Sequence, residues 1–271
     1  MPDPRSSPVT VPVVRAAKRR SGHDPLVMVT AYDAPGARIA DAAGVDLILV
    51  GDSVANNVLG YEDSLQVTVE DMAHHTAAVA RARPRPLIVA DLPWMSYHLD
   101  PVDTVRNAAV LIRAGAQAVK LEGGTNRVPM IEALVAAEIP VMGHLGLTPQ
   151  SVNVMGGYRV QGRNDAAAHV LTVGAKAITA AGCFAVVVEG VPSPVGAAIT
   201  EALDVPTIGI GAGPDCDGQV LVFHDLLGFN DRVPKFVRRY AELGTAATAA
   251  VAAFAEDVRS GAFPAEVESY H

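Results

Sequence analysis

The sequence predicts a TIM (β/α)8 barrel, and three observations predict it. Eight short apolar runs recur along the 271 residues, nearly all separated by helical stretches. Helical stretches stop on Ala43-Gly44, Ala114-Gly115 and Ala181-Gly182, the punctuation of helix C-termini. Four of the apolar runs end on an acid, at Asp52, Asp91, Glu122 and Glu189. In a parallel barrel such acids fall on the carboxyl edge, where active sites are built. A doubly wound open sheet is the alternative architecture for the same alternation.

The elements follow in order. The expected strands are Leu26–Tyr32, Asp46–Gly51, Pro86–Asp91, Ala116–Leu121, Pro140–His144, Phe184–Glu189, Pro206–Ile210 and Gln219–Phe223. Most are apolar runs rather than strict alternations, as strands covered on both faces are. Helices are expected near residues 33–43, 70–82, 101–114, 126–137, 165–181, 194–203 and 234–259. Eight such βα units match the length typical of a barrel, roughly 250 residues. Two connections are long, Ser53–Val69 and Gly146–Asn164, and loops of that length in a compact domain are usually lids or binding loops. The second mixes Gly with polar side chains and Tyr158, a composition suited to closing over a substrate. The sequence has no linker-like tract mid-chain, so the expected organisation is an N-terminal extension over 1–22, partly disordered, and a single barrel with a C-terminal helix over 23–271. That last helix is Ala-rich and long enough to pack on another subunit.

Composition narrows the class. The chain is 50% hydrophobic but only 5% aromatic, so its core is aliphatic. With 21 Lys and Arg against 29 Asp and Glu, the net charge of −8 argues against nucleic acid or anionic membranes as partners. No run of about 18 apolar residues indicates a membrane span, and residues 1–22 lack the apolar core of a signal peptide. Cys183 and Cys216 have neither disulfide-framework nor metal-ligand spacing, so the expected setting is reducing and cytoplasmic.

Asp52, Asp91 and Glu122 end three consecutive strands, and three oxygen donors side by side suit a hard divalent cation, Mg²⁺ first. The plainer reading of any one of them is a helix cap or an ion pair. Lys120 precedes Glu122 by two residues, so the two share a strand face. A cation there complements an anionic, chelating substrate such as an α-keto acid; a Schiff-base role is the alternative. Glu189, across the mouth, suits a general base. His144 stands between these groups, either orienting Glu189 or a substrate oxygen or simply bonding within the rim. Gly209-Ile210-Gly211-Ala212-Gly213 is followed by Pro214 and opens no helix, so a dinucleotide loop is a weak reading. Asp71, His74 and His75 have metal-like spacing but fall on an outer helix, where a solvated or interfacial face is expected. Gly51-Asp52-Ser53-Val54 is similar to an esterase nucleophile block, without an oriented histidine to serve it.

From about Val27 to the C-terminus the chain resembles the ketopantoate hydroxymethyltransferase family. The resemblance rests on an ordered set: Thr30-Ala31-Tyr32-Asp33, Val50-Gly51-Asp52-Ser53, His75-Thr76-Ala77-Ala78-Val79 and Ala90-Asp91-Leu92-Pro93, followed by Val119-Lys120-Leu121-Glu122-Gly123-Gly124. It continues through Gly143-His144-Leu145-Gly146-Leu147-Thr148-Pro149-Gln150-Ser151, Gly156-Gly157-Tyr158, Ile208-Gly209-Ile210-Gly211-Ala212-Gly213 and Phe223-His224-Asp225. The chain departs from the family at Val54-Ala55-Asn56-Asn57, Gln66 and Gly190. The resemblance implies a barrel of the phosphoenolpyruvate/pyruvate type and a large homo-oligomer, typically a decamer. It implies Mg²⁺ held by Asp52, Asp91 and Glu122, substrate contacts from Asp52, Ser53, Asp91 and Lys120, and Glu189 as proton acceptor. The activity implied is hydroxymethyl transfer from 5,10-methylenetetrahydrofolate to 3-methyl-2-oxobutanoate through a Mg²⁺-bound enolate, the first step of pantothenate biosynthesis. A Mg²⁺-dependent C–C lyase acting on an α-keto acid and a non-catalytic ligand-binding barrel are the competing readings.

Overall fold

The computed structural model describes residues 7–271. Two compact units partition the chain, one ending at Val222 and the other running from Phe223 to His271.

In the first unit, eight parallel strands close into a barrel in chain order. They are β1 (Leu26–Thr30), β2 (Leu47–Val50), β3 (Leu87–Asp91), β4 (Ala118–Glu122), β5 (Val141–Gly146), β6 (Ala185–Glu189), β7 (Thr207–Ile210) and β8 (Gly218–Leu221). The expected (β/α)8 architecture is thus present. The helices are α1 (Val11–Ala16), α2 (Ala34–Ala42), α3 (Val69–Arg81), α4 (Pro101–Ala114), α5 (Val128–Ala136), α6 (Val152–Met155), α7 (Asp165–Ala180) and α8 (Ser193–Ala202). Helix starts follow local chemistry: Asp33, Asp100 and Asn164 each accept a backbone N–H from the first turn. Asp71 and Thr68 form a capping box at α3, while His75 Nδ1 lies 2.7 Å from Tyr32 O. Two members of the metal-like Asp-His-His spacing are therefore engaged in helix start and strand-end contacts.

The barrel interior is aliphatic: Leu26, Met28, Leu47, Leu49, Leu87, Val89, Ala118, Met142, Ala185, Val187, Ile208 and Val220 belong to one buried cluster. Val9, Val14 and Ala17 join the same cluster. Residues around α1, within the stretch expected as an extension, thereby pack on the amino end of the barrel. Residues 1–6 lie outside the described residues. The same inward alternation carries Asp91, Lys120, Glu122, His144 and Glu189 at the carboxyl end, where period-2 geometry turns the lining polar.

Of the two long connections, Ser53–Val69 holds a π-helical turn (Ala55–Leu59) and a 3-10 turn (Ser64–Gln66). The stretch 146–164 holds a 3-10 turn (Pro149–Ser151) and α6.

The second unit contains α9 (Phe223–Leu226) and α10 (Leu243–Ser260). The helix expected from residue 234 begins only at Leu243. Instead of continuing helically, the backbone N–H groups of Tyr240 and Leu243 donate to the carbonyls of Leu226 and Leu227, so tertiary pairing overrides local propensity. Val251, Phe254 and Val258 of α10 are exposed. Among the described residues no helix is long and apolar enough to cross a membrane.

Candidate active site

Register brings the rim side chains together. Asp91 pairs with Lys120, Glu122 with His144, and Gly146 with Glu189. Lys120 Nζ lies 3.0 Å from Asp91 Oδ1 and 3.2 Å from His144 Nδ1. His144 stands between two acids, its Nδ1 3.3 Å from Glu122 Oε1 and its Nε2 3.1 Å from Glu189 Oε2. Asp52, at the end of β2, uses its backbone N–H to donate to Asp91 Oδ2 at 3.0 Å. All the residues expected at the site, Asp52, Ser53, Asp91, Lys120, Glu122 and Glu189, therefore come from one rim. Asp52, Asp91, Lys120, Glu122 and His144 are buried, while Glu189 is slightly open to solvent.

Two glycines allow this crowding. A Cβ on Gly51 would stand 2.8 Å from Ser53 Oγ and 3.6 Å from Asp91 Oδ2. A Cβ on Gly146 would stand 2.1 Å from Glu189 O, at a φ of +97° that side chains disfavour.

The charges do not balance as they stand. Burial, then the neighbouring charges of Asp91 and Glu122, push Asp52 up to about 8. Burial also raises Asp91, against the pull of Lys120. Burial opposes the Lys120 charge, but Asp91, Glu122 and Asp52 together hold its pKa above the ordinary lysine value. Burial likewise opposes the Glu122 charge, yet hydrogen bonding and charge from His144 prevail, and its pKa falls. His144 is raised to about 9: burial and Lys120 resist its protonation, but the bonds to Glu122 and Glu189 outweigh them. Asp91 Oδ1 and His144 Nε2 are buried without a well-aligned hydrogen bond, although each has an oppositely charged neighbour close by. Four acids thus share two cations, Lys120 and His144, and Asp91 Oδ1 is held by the lysine alone: a set of hard donors short of positive charge. Among the described residues, no three His, Cys, Asp or Glu side chains are spaced to enclose a metal ion by themselves.

Several residues of the site lie beyond the strand-end pattern. Tyr32 OH is 2.9 Å from Ser53 Oγ and accepts from Thr30 Oγ1 at 3.0 Å. Gln150, from the second long connection, is buried against Asp52, and Tyr97 OH donates to it at 2.5 Å. The signal for Tyr32 was its place as the last residue of the first expected strand, and for Gln150 its place in a Gly-rich loop. Tyr97 had no signal of its own.

Comparison with known proteins gives the same assignment. The family model described as ketopantoate hydroxymethyltransferase matches residues 8–266. A 3-methyl-2-oxobutanoate hydroxymethyltransferase of Methylobacterium sp. strain 4-46 is 58% identical, over 96% of this chain and 90% of its own length. The protein of the same name from Moorella thermoacetica is 54% identical, over 97% of this chain and 98% of its own. Among solved structures, phosphonopyruvate hydrolase in complex with oxalate and Mg²⁺ superposes with a TM-score of 0.62 at 16% identity, covering 95% of this chain and 92% of that one. The 2,3-dimethylmalate lyase of the PEP mutase/isocitrate lyase superfamily gives 0.61 at 19%, covering 96% and 91%. At such identities these two establish the fold alone. With the ordered rim residues and a match along almost its whole length, the chain belongs to the ketopantoate hydroxymethyltransferase family.

Proposed function

We propose that this chain transfers a hydroxymethyl group from 5,10-methylenetetrahydrofolate to 3-methyl-2-oxobutanoate, yielding 2-dehydropantoate and tetrahydrofolate. What carries the reading is the rim itself: a crowded acid cluster with one lysine, and a separate carboxylate, Glu189, reached through His144. The name borne by relatives more than half identical along nearly the full chain supports the keto-acid acceptor and the group transferred.

The residues fit a divalent cation. Their donors are all carboxylate oxygens, Asp91 Oδ1 lacks a well-aligned hydrogen bond, and Mg²⁺ needs only one or two direct carboxylates because it keeps several waters. Asp52 and Asp91 would hold it, with Glu122 as the third acid facing it. When bound, such a cation withdraws charge from the keto oxygen and acidifies the adjacent C–H.

The chain's own residues supply the rest. Lys120 places positive charge beside the substrate anion, and the Ser53 hydroxyl, held by Tyr32, donates a hydrogen bond to it. Glu189 takes the C3 proton, and His144, 3.1 Å from its carboxylate, keeps that carboxylate oriented. The electron pair left at C3 attacks the folate methylene. A C–C bond forms, the methylene's two bonds to folate nitrogens break, water supplies the hydroxyl, and the protons from C3 and from water go to the freed nitrogens. Pantothenate biosynthesis in the cytoplasm is the expected setting. A homo-oligomer, expected to be a decamer, is supported by the exposed apolar residues of α10.

The test is proton NMR of 3-methyl-2-oxobutanoate mixed with enzyme, Mg²⁺ and 5,10-methylenetetrahydrofolate. A hydroxymethyl signal that depends on both additions is expected. Loss of the C3 proton in D₂O without any such product contradicts the transfer and favours a lyase acting at the same carbon.

A further inference from the structure

Gln150 does not end a strand, yet it grips two of the strand-end acids. Its Nε2 donates to Asp52 Oδ2 at 2.8 Å and to Leu92 O at 3.0 Å. Its backbone N–H donates to Glu122 Oε2 at 3.1 Å. Its Oε1 accepts the Tyr97 hydroxyl proton at 2.5 Å, and Tyr97 OH in turn accepts from the Glu122 backbone N–H at 3.2 Å. Both residues are buried.

The direction of this chain of bonds is fixed. Tyr97 has one proton to give, and it goes to Oε1, so both Nε2 hydrogens are directed at Asp52 and Leu92. A reversed amide would set Oε1 against a carboxylate oxygen and a carbonyl oxygen, acceptor against acceptor. An aliphatic residue at 150 would leave the Tyr97 hydroxyl proton without its acceptor and Asp52 Oδ2 without its donor in a buried site. Because Gln150 occupies Asp52 Oδ2, the other oxygen of that carboxylate is left for a cation.

We propose that Gln150, oriented by Tyr97, is a positioning residue that fixes the Asp52 and Glu122 carboxylates for the divalent cation and ties the connection between β5 and α7 to the rim. The inference rests on the cation site proposed above. Groups that orient metal ligands typically change metal affinity about 10–100-fold when removed.

The test is Mg²⁺ binding to the substrate-free protein by calorimetry, repeated with Mn²⁺ by electron paramagnetic resonance. Wild type, Gln150→Leu, Tyr97→Phe and the double variant are compared well below their melting temperatures, with matching circular dichroism. Gln150→Leu is expected to weaken Mg²⁺ binding about 10–100-fold. Tyr97→Phe is expected to weaken it less, and the double variant little more than Gln150→Leu alone, because Tyr97 acts largely through Gln150. Should Gln150→Leu not fold, Gln150→Met, which keeps the side-chain length, carries the same expectation. Wild-type affinity in the folded variant, or strictly additive losses, overturns the inference while leaving the cation site standing. A wild-type protein that binds neither ion removes the cation site and the inference together.

Discussion

The two ends of the barrel each bury a lysine–aspartate pair and treat it in opposite ways. At the amino end, Lys18 Nζ is 2.7 Å from Asp217 Oδ2 and donates to Thr200 O at 2.7 Å. Asp217 Oδ2 also accepts from the Thr207 backbone N–H, and Oδ1 accepts from that of Arg19. One positive charge meets one negative charge, and both carboxylate oxygens are engaged. At the carboxyl end, Lys120 meets Asp91 at 3.0 Å, but Asp52 and Glu122 crowd the same space and Asp91 Oδ1 is left poorly bonded. A buried pair with all its partners holds structure; a buried set with an excess of one charge is prepared for something that brings the other.

The sharpest way to break this contrast is to neutralise one aspartate at each end. Asp91→Asn should lower turnover by several kcal/mol of barrier, on the order of 1,000-fold, while leaving the melting temperature of the cation-free protein equal or higher. Steady-state kinetics and calorimetry check both halves; a large loss of stability would make Asp91 a structural residue. Asp217→Asn should do the reverse. It strands the Lys18 charge and costs about 3–5 kcal/mol of stability, with kcat of the folded fraction unchanged.

Acidity gives a finer test of the carboxyl end. Asp52 is raised from 3.8 to about 8 in the folded, cation-free protein, so between those values the folded state holds a proton that the unfolded chain has lost. Its contribution to stability is present at low pH and fades as pH rises towards 8. A cation must displace that proton, so apparent Mg²⁺ affinity should rise by up to about tenfold per pH unit below pH 8. Thermal shifts with and without Mg²⁺ across pH 5–9 measure this; a pH-independent shift would contradict it. The smallest expected effect is at α1. Val14 is fully buried in the core cluster, and Val14→Ala should cost about 1–2 kcal/mol in denaturant unfolding without touching KM.

Much of this was legible in the sequence for a physical reason. Strands covered on both faces must be apolar throughout, so their ends stand out, and an acid at such an end has few places to go except the rim. Asp52, Asp91, Glu122 and Glu189 were found that way, and Lys120 by its two-residue offset from Glu122. Gln150 and Tyr97 were not assigned to the site, because the path of a loop over the rim is set by tertiary contacts rather than by periodicity. The start of α10 escapes periodicity for the same kind of reason: residues 234–242 have helical composition, but the N–H groups of Tyr240 and of Leu243 just beyond pair with the end of α9 and the residue after it.

The most direct test of the carboxyl rim as a cation-dependent site of proton abstraction is C3 hydrogen–deuterium exchange of 3-methyl-2-oxobutanoate in D₂O, without folate. Wild type and Glu189→Gln are followed with and without Mg²⁺. Exchange by wild type only when Mg²⁺ is present, falling at least about 100-fold in Glu189→Gln while Mg²⁺ binding is kept, is the result predicted. Exchange at the wild-type rate in Glu189→Gln, or exchange indifferent to Mg²⁺, would contradict it.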